Sequence, residues 1–226
     1  MKNIKLIACD TDGVILEDTY SPILNRLSIA LHIPYTSEIE RNTFSRDDAT
    51  ALKYVSKIAG IKTEKEMQEL YKLYFLERDK YIQETGNHPV LPSAPEFLKR
   101  LRSLGIPIIC YGGLPLDKID NRAKPFLEHF DQYICTGTFR PGLKEIVKDI
   151  YHFDYSEVLF IDDVNTVAEE AKKYNIPFIG VPTTHSWGFQ KQDMEKTRVK
   201  YTVNSVEEIT LDYLETIDGD KEIWNA

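Results

Sequence analysis

Four aspartates stand where they could do chemistry together. Asp10 and Asp12 are two residues apart, follow the apolar run 4–9 and precede Gly13-Val14. Asp162 and Asp163 follow a second apolar run, 158–161. Carboxylates gathered in one place repel each other at neutral pH, and a divalent cation relieves that repulsion. Oxygen-only ligands favour Mg²⁺ over zinc, and no Cys or His cluster competes. Mg²⁺ keeps coordination positions for water and a substrate phosphate, so the chemistry such a site suits is phosphoryl transfer. Either pair alone would serve as a turn, or as a helix cap placed well for the helix dipole. Two such pairs, each behind a buried strand, point to a metal site.

The elements that must position these acids are legible as an alternation. Short apolar runs at 4–9, 106–111, 132–135, 158–161, 177–181 and 201–203 suit buried parallel strands. Amphipathic stretches at 94–104, 117–129, 143–151, 164–174 and 205–214 lie between or after them. This pattern predicts an α/β fold, a doubly wound parallel sheet. In such sheets ligands bind beyond the carboxyl ends of the strands, where both acidic pairs fall. Gly13 permits a sharp turn there. Residues 17–89 break the alternation, with helical patterns at 21–31, 47–59 and 64–84 and no convincing strand. Ser45 is the expected N-cap of the second helix, and Thr63 with Glu66 forms a capping box for the third. The expected organisation is a core of residues 1–17 and 90–226 interrupted by a helical cap, 18–89. The acidic tail 218–226 reads as a frayed end.

With 226 residues, 42% of them apolar, the chain can bury a large core and still carry a smaller domain. A net charge of −8 argues against a nucleic-acid partner, which needs clustered Lys and Arg. No apolar run reaches the roughly 18–20 residues that span a bilayer, and the first residues do not form a secretory signal. Cys9, Cys110 and Cys135 match no zinc spacing and read as buried, reduced strand residues. A cytoplasmic protein is expected.

The residues Asp10-Thr11-Asp12-Gly13-Val14 resemble the first motif of the haloacid dehalogenase-like superfamily. The resemblance covers essentially the whole chain, through the strand 105–109, Arg140-Pro141, Asp162-Asp163, the stretch 176–181 and Trp187-Gly188. The helical insertion looks like that family's cap of the first type. Residues 44–48, Phe-Ser-Arg-Asp-Asp, are similar to the β-phosphoglucomutase and phosphatase branch. The resemblance implies that Asp10 is a nucleophile and Asp12 an acid/base. It implies that Mg²⁺ binds the Asp10 carboxylate, the Asp12 carbonyl and Asp163, with Asp162 a second ligand through water. The implied reaction is hydrolysis of a small phosphorylated metabolite through an aspartyl-phosphate, under a closing cap. The sequence names neither the metabolite nor an oligomeric state.

Two motifs depart from the family pattern. Where the second motif carries a Ser or Thr hydroxyl, this chain has Gly112. Losing one such donor costs roughly 2–4 kcal/mol in the transition state. The backbone N–H groups of Gly112 and Gly113 can form an anion nest, or Tyr111 can supply its hydroxyl if the register slips by one. Where the third motif carries Lys, Arg140 precedes Pro141, and the swap is not conservative; Lys144 competes for the role. These changes keep open a second reading, a catalytically weakened relative that binds a phosphometabolite or a protein partner. Pro22 stands where phosphoglucomutases carry a His, which argues against a sugar mutase. Arg46 matches a position that grips a distal phosphate in those relatives; otherwise it is a solvated helix residue. Lys53 and Lys57 read as helix-surface residues rather than imine formers, and the acid pairs disfavour a dehalogenase. His185 and Trp187 could line the site entrance or simply pack. The aromatic residues among 71–75 read as cap core.

Overall fold

The computed structural model describes residues 1–86 and 88–224. Five parallel strands form one sheet in the order β3-β2-β1-β4-β5. They are β1 Leu6–Asp10, β2 Ile108–Gly112, β3 Gln132–Cys135, β4 Val158–Asp162 and β5 Phe178–Gly180. Every residue of β1, β2 and β4 is buried, as expected of strands covered by helices on both faces. β1 sits centrally, its register pairing Asp10 with Tyr111 on one side and Cys9 with Ile161 on the other. The acid pairs at the ends of β1 and β4 are therefore neighbours at the carboxyl edge. The expected sixth strand at 201–203 reduces to a single bridge between Gly180 and Thr202.

The segment after β1 is helical. It comprises α1 Tyr20–Ala30, α2 Ser37–Thr43, α3 Asp48–Ile58 and α4 Glu64–Thr85. Thr63 and Glu66 form the capping box of α4. The cap of α3 is Asp47, not Ser45: the Asp47 carboxylate accepts from Thr50 N at 2.9 Å, and Ser45 turns the chain at φ 51°. α2, which Thr36 caps, falls in a stretch where no helix is expected from the sequence. Leu24, Leu27, Ile39, Phe44, Val55 and Leu70 form a small apolar cluster separate from the main core. The chain leaves the sheet region at Leu16 and re-enters at Val90, and the two passages bridge each other. Glu17 N donates to Pro89 O at 2.8 Å, and Leu91 N donates to Ile15 O at 3.0 Å.

The remaining α-helices are α5 Ala94–Arg102, α6 Lys124–Leu127, α7 Asn165–Tyr174, α8 Gln190–Thr197 and α9 Leu211–Gly219, and the helix expected over 143–151 is a wider π-type turn, Glu145–Ile150. The helix expected over 117–129 is broken. Asp120 accepts from Arg122 N at 2.8 Å in a local turn, and Pro125 is tolerated only in the first turn of α6. Cys9 and Cys110 are buried as expected, but Cys135 is exposed, because β3 is an edge strand. The tail is docked rather than frayed up to Trp224; Asn225 and Ala226 lie outside the described residues. Trp224 Nε1 donates to Ile176 O at 2.9 Å, and Asp218 receives the backbone N–H groups of Lys2, Asn3 and Ile4.

Candidate active site

Asp10 ends β1 with 8% exposure, and the chain then turns back on itself, Leu16 N donating to Thr11 O at 2.7 Å. Gly13 has φ 87°, a conformation that favours glycine. A Cβ there would lie 2.4 Å from Asp163 Oδ2, so the absent side chain makes room for that carboxylate. Asp163 Oδ1 is buried and has no hydrogen-bond partner. Asp162 is committed differently. Its Oδ2 accepts from the Tyr111 hydroxyl and its Oδ1 accepts from Val164 N at 2.7 Å. The Tyr111 ring is fully buried, so its hydroxyl holds Asp162. Asp12 lies at the mouth of the loop, held by Thr19 N at 3.2 Å and Thr19 Oγ1 at 3.3 Å.

The two glycines after β2 are explained by what fills their side-chain space. A Cβ on Gly112 would lie 2.5 Å from Thr11 Oγ1 and 3.1 Å from the Tyr133 hydroxyl. A Cβ on Gly113 would lie 2.4 Å from Arg140 Nη2. The broad guanidinium of Arg140 therefore occupies the space that a side chain on Gly113 would fill. Its Nη1 donates to Thr136 Oγ1 at 3.3 Å, while its buried Nε has no partner. Lys144 is exposed and does not reach the cavity.

Charge is crowded at this edge. Burial drives the Asp10 carboxyl well above its ordinary range, the Asp162 charge adds to this, and Arg140 opposes it. Asp163 is raised by burial and then by Asp162 and Asp10. Burial pushes Asp162 up to about 6 against the Tyr111 and Val164 hydrogen bonds. Burial and the neighbouring Asp18 push Asp12 up to about 7, with Thr19 opposing. Among the described residues no three carboxylate, imidazole or thiolate side chains form a ready metal cage. The donors still fit a hard cation. Asp10 and the unpartnered Asp163 oxygen supply two carboxylates, and Mg²⁺ usually completes its shell from carbonyl, water and phosphate oxygens.

A cavity of about 250 Å³ joins this edge to the helical insertion. Seven of the residues named from the sequence line it, Asp10, Asp12, Asp163, Gly112, Gly113, Arg140 and Arg46, whereas Asp162, Tyr111 and Lys144 do not. Arg46 faces it from the first turn before α3, with its guanidinium donating to Arg41 O at 3.3 Å. Among the lining residues that carried no role in the sequence are Asp18, Arg78 and Tyr133. Asp18 lies six residues beyond Asp12 and could have been read as part of the acidic cluster; Arg78 and Tyr133 carry no local signal. His185 and Trp187 do not line the cavity. Their rings stack at 4.5 Å, and Trp187 meets Tyr35 edge-on at 5.3 Å, which closes a seam between insertion and core.

A family model described as haloacid dehalogenase-like hydrolase matches residues 4–173. No curated protein sequence matches significantly. Solved structures do match in fold. A hydrolase from Pseudomonas syringae aligns with TM-score 0.68 at 15% identity over 94% of this chain and 99% of that one. A β-phosphoglucomutase from Clostridium difficile aligns with TM-score 0.63 at 14% identity over 95% and 97%. CbbY from Rhodobacter sphaeroides, in complex with xylulose-(1,5)bisphosphate, aligns with TM-score 0.63 at 14% identity over 93% and 99%.

Proposed function

The chain belongs to the haloacid dehalogenase-like hydrolases, and on that premise we propose that it is a Mg²⁺-dependent phosphatase of a small phosphorylated metabolite. We assign residues 1–17 and 90–226 to the core domain and 18–89 to the cap. The observation that carries this reading is that Asp10, Asp12, Asp163, Arg140, Gly112 and Gly113 all line one cavity.

In this reading the substrate phosphate lies against the N–H groups of Gly112 and Gly113, with Arg140 beside it. An Asp10 oxygen forms a bond to phosphorus while the ester P–O bond breaks, and Asp12 gives its proton to the departing alcohol oxygen. Asp12 then takes a proton from water, whose oxygen attacks phosphorus and releases inorganic phosphate and the free Asp10 carboxylate. Asp10 and Asp163, with the Asp12 carbonyl, would hold Mg²⁺, which when bound offsets the charge between carboxylate and phosphate. Asp162 acts from behind: fixed by Tyr111 and Val164, it orients the loop that carries Asp163.

The test is phosphate release from p-nitrophenyl phosphate with Mg²⁺ and with chelator. Wild type is expected to be active only with metal, and Asp10→Asn to lose roughly a thousandfold or more, as nucleophile removal does elsewhere. Equal release by wild type and Asp10→Asn would sink the mechanism.

A further inference from the structure

The cavity does not end at the acids, and its far wall is apolar. α4 is 22 residues long, yet Leu70 is its one buried residue. Tyr71, Tyr74, Phe75, Tyr81 and Ile82 recur along one of its faces at helical spacing, and all five line the cavity. The aromatic residues among 71–75 were expected to be cap core; Tyr74 does pack against the cap cluster, and with Tyr71 and Phe75 it also lines the cavity shared with Asp10 and Asp12. Opposite this face, Leu24, Leu27 and Val55 are at most 5% exposed and line the same space. The chamber is lined mainly by rings and aliphatic side chains; Tyr71 is still 41% exposed, and Arg46, Asp48 and Thr85 are among its polar lining. The Tyr20 hydroxyl at its edge already donates to Thr43 O at 3.2 Å.

A sugar leaving group would bring several hydroxyls against such walls, and each hydroxyl buried without a partner costs free energy. An apolar ring buries its surface there at a gain and can stack edge-on or offset against the tyrosines. The one cation on this face of α4, Arg78, sits a little more than one turn beyond Tyr74, and its charge bears on Asp12 and Asp120. It lines the cavity midway along this face, between Phe75 and Tyr81, where its guanidinium can lie against an aromatic ring as well as serve the phosphate. We infer that the cap chamber accepts the apolar, ring-bearing alcohol of a phosphate monoester, so that the substrate class is aromatic phosphates rather than sugar phosphates. This rests on the phosphatase reading for its chemistry, but the recognition can be measured without turnover.

The first experiment is calorimetric binding to the Asp10→Asn protein, with 1-naphthyl phosphate compared with glucose 6-phosphate. At least tenfold tighter binding of the naphthyl ester is expected; equal, weaker or undetectable binding of it overturns the assignment. Leu52 lines the chamber from α3, and Leu52→Trp fills it. In Asp10→Asn/Leu52→Trp the tenfold preference is expected to vanish, whereas a retained preference places the ring elsewhere and overturns the chamber. Release of phosphate from acetyl phosphate, which needs no chamber, separates the two readings. Its absence defeats the phosphatase reading, while the binding ratio still decides the chamber.

Discussion

At the scale of single residues, the two motif departures are structural replacements rather than gaps. Gly112 lacks the family's hydroxyl because Thr11 and Tyr133 hydroxyls already stand where its side chain would go. Gly113 and Arg140 form an interlock of the same kind, a missing Cβ admitting a planar cation. Restoring the hydroxyl by Gly112→Ser is therefore expected to lower activity. Overpacking of this sort costs about 1–3 kcal/mol, and if it falls on the reactive geometry kcat/KM drops roughly tenfold or more. Steady-state kinetics on the best aryl phosphate checks this, with Thr11→Ala/Gly112→Ser expected to recover part of the loss; a gain from Gly112→Ser alone would contradict it. The acids were legible in the sequence because their chemistry is written in residue type and spacing. The replacements were not, since Thr11 and Tyr133 reach Gly112 across β1 and β3, and no local pattern records a contact between strands.

At the scale of elements, the insertion is held on the core by a buried acid. Glu40 on α2 is fully buried and accepts from Tyr35 Oη at 2.8 Å, from Gln190 Nε2 at 2.7 Å and from Phe189 N at 3.1 Å. Gln190 in turn accepts from Asn165 N at 2.6 Å, at the start of α7 just beyond Asp163. Glu40→Ala would leave several donors without an acceptor, and a buried unsatisfied group costs about 1–3 kcal/mol. A loss of at least about 2 kcal/mol in urea unfolding is expected, with Glu40→Gln milder because one acceptor oxygen remains; no change for Glu40→Ala would deny it this role. This latch depends on α2 and α8, the two helices that the periodicity missed. Both are short or polar, and their burial comes from tertiary contacts rather than an amphipathic repeat. The strands β1, β2 and β4 were legible because burial on both faces leaves uninterrupted apolar runs, whereas the helix expected over 117–129 yielded to local Asp and Pro chemistry.

At the scale of the whole molecule, the two ends of the described core meet at Asp218. Burial alone would raise this carboxyl, but the N–H groups of Ile4, Lys2 and Asn3 outweigh it and hold the group below its ordinary value. A depressed folded-state value means the stabilisation is present above about pH 3.9 and is lost as pH falls below that. Asp218→Asn is expected to cost about 1–2 kcal/mol at pH 7. The gap from wild type in urea unfolding should narrow as the pH drops below about 4; a gap constant from pH 7 to pH 3 would refute the charge-based account. The paired passages at Leu16 and Val90 have a different kind of consequence. Because the chain exits and returns side by side, with backbone hydrogen bonds tying the passages together, everything between them is joined covalently to the core through one narrow stem, while Glu40 latches it from the side. A stem of this kind lets the inserted helices be exchanged as a cassette. The core beneath would register that the two passages still arrive together and that Phe189 and Gln190 still meet an acceptor, and a lineage could acquire a new preference by replacing its roof while leaving most of its floor untouched.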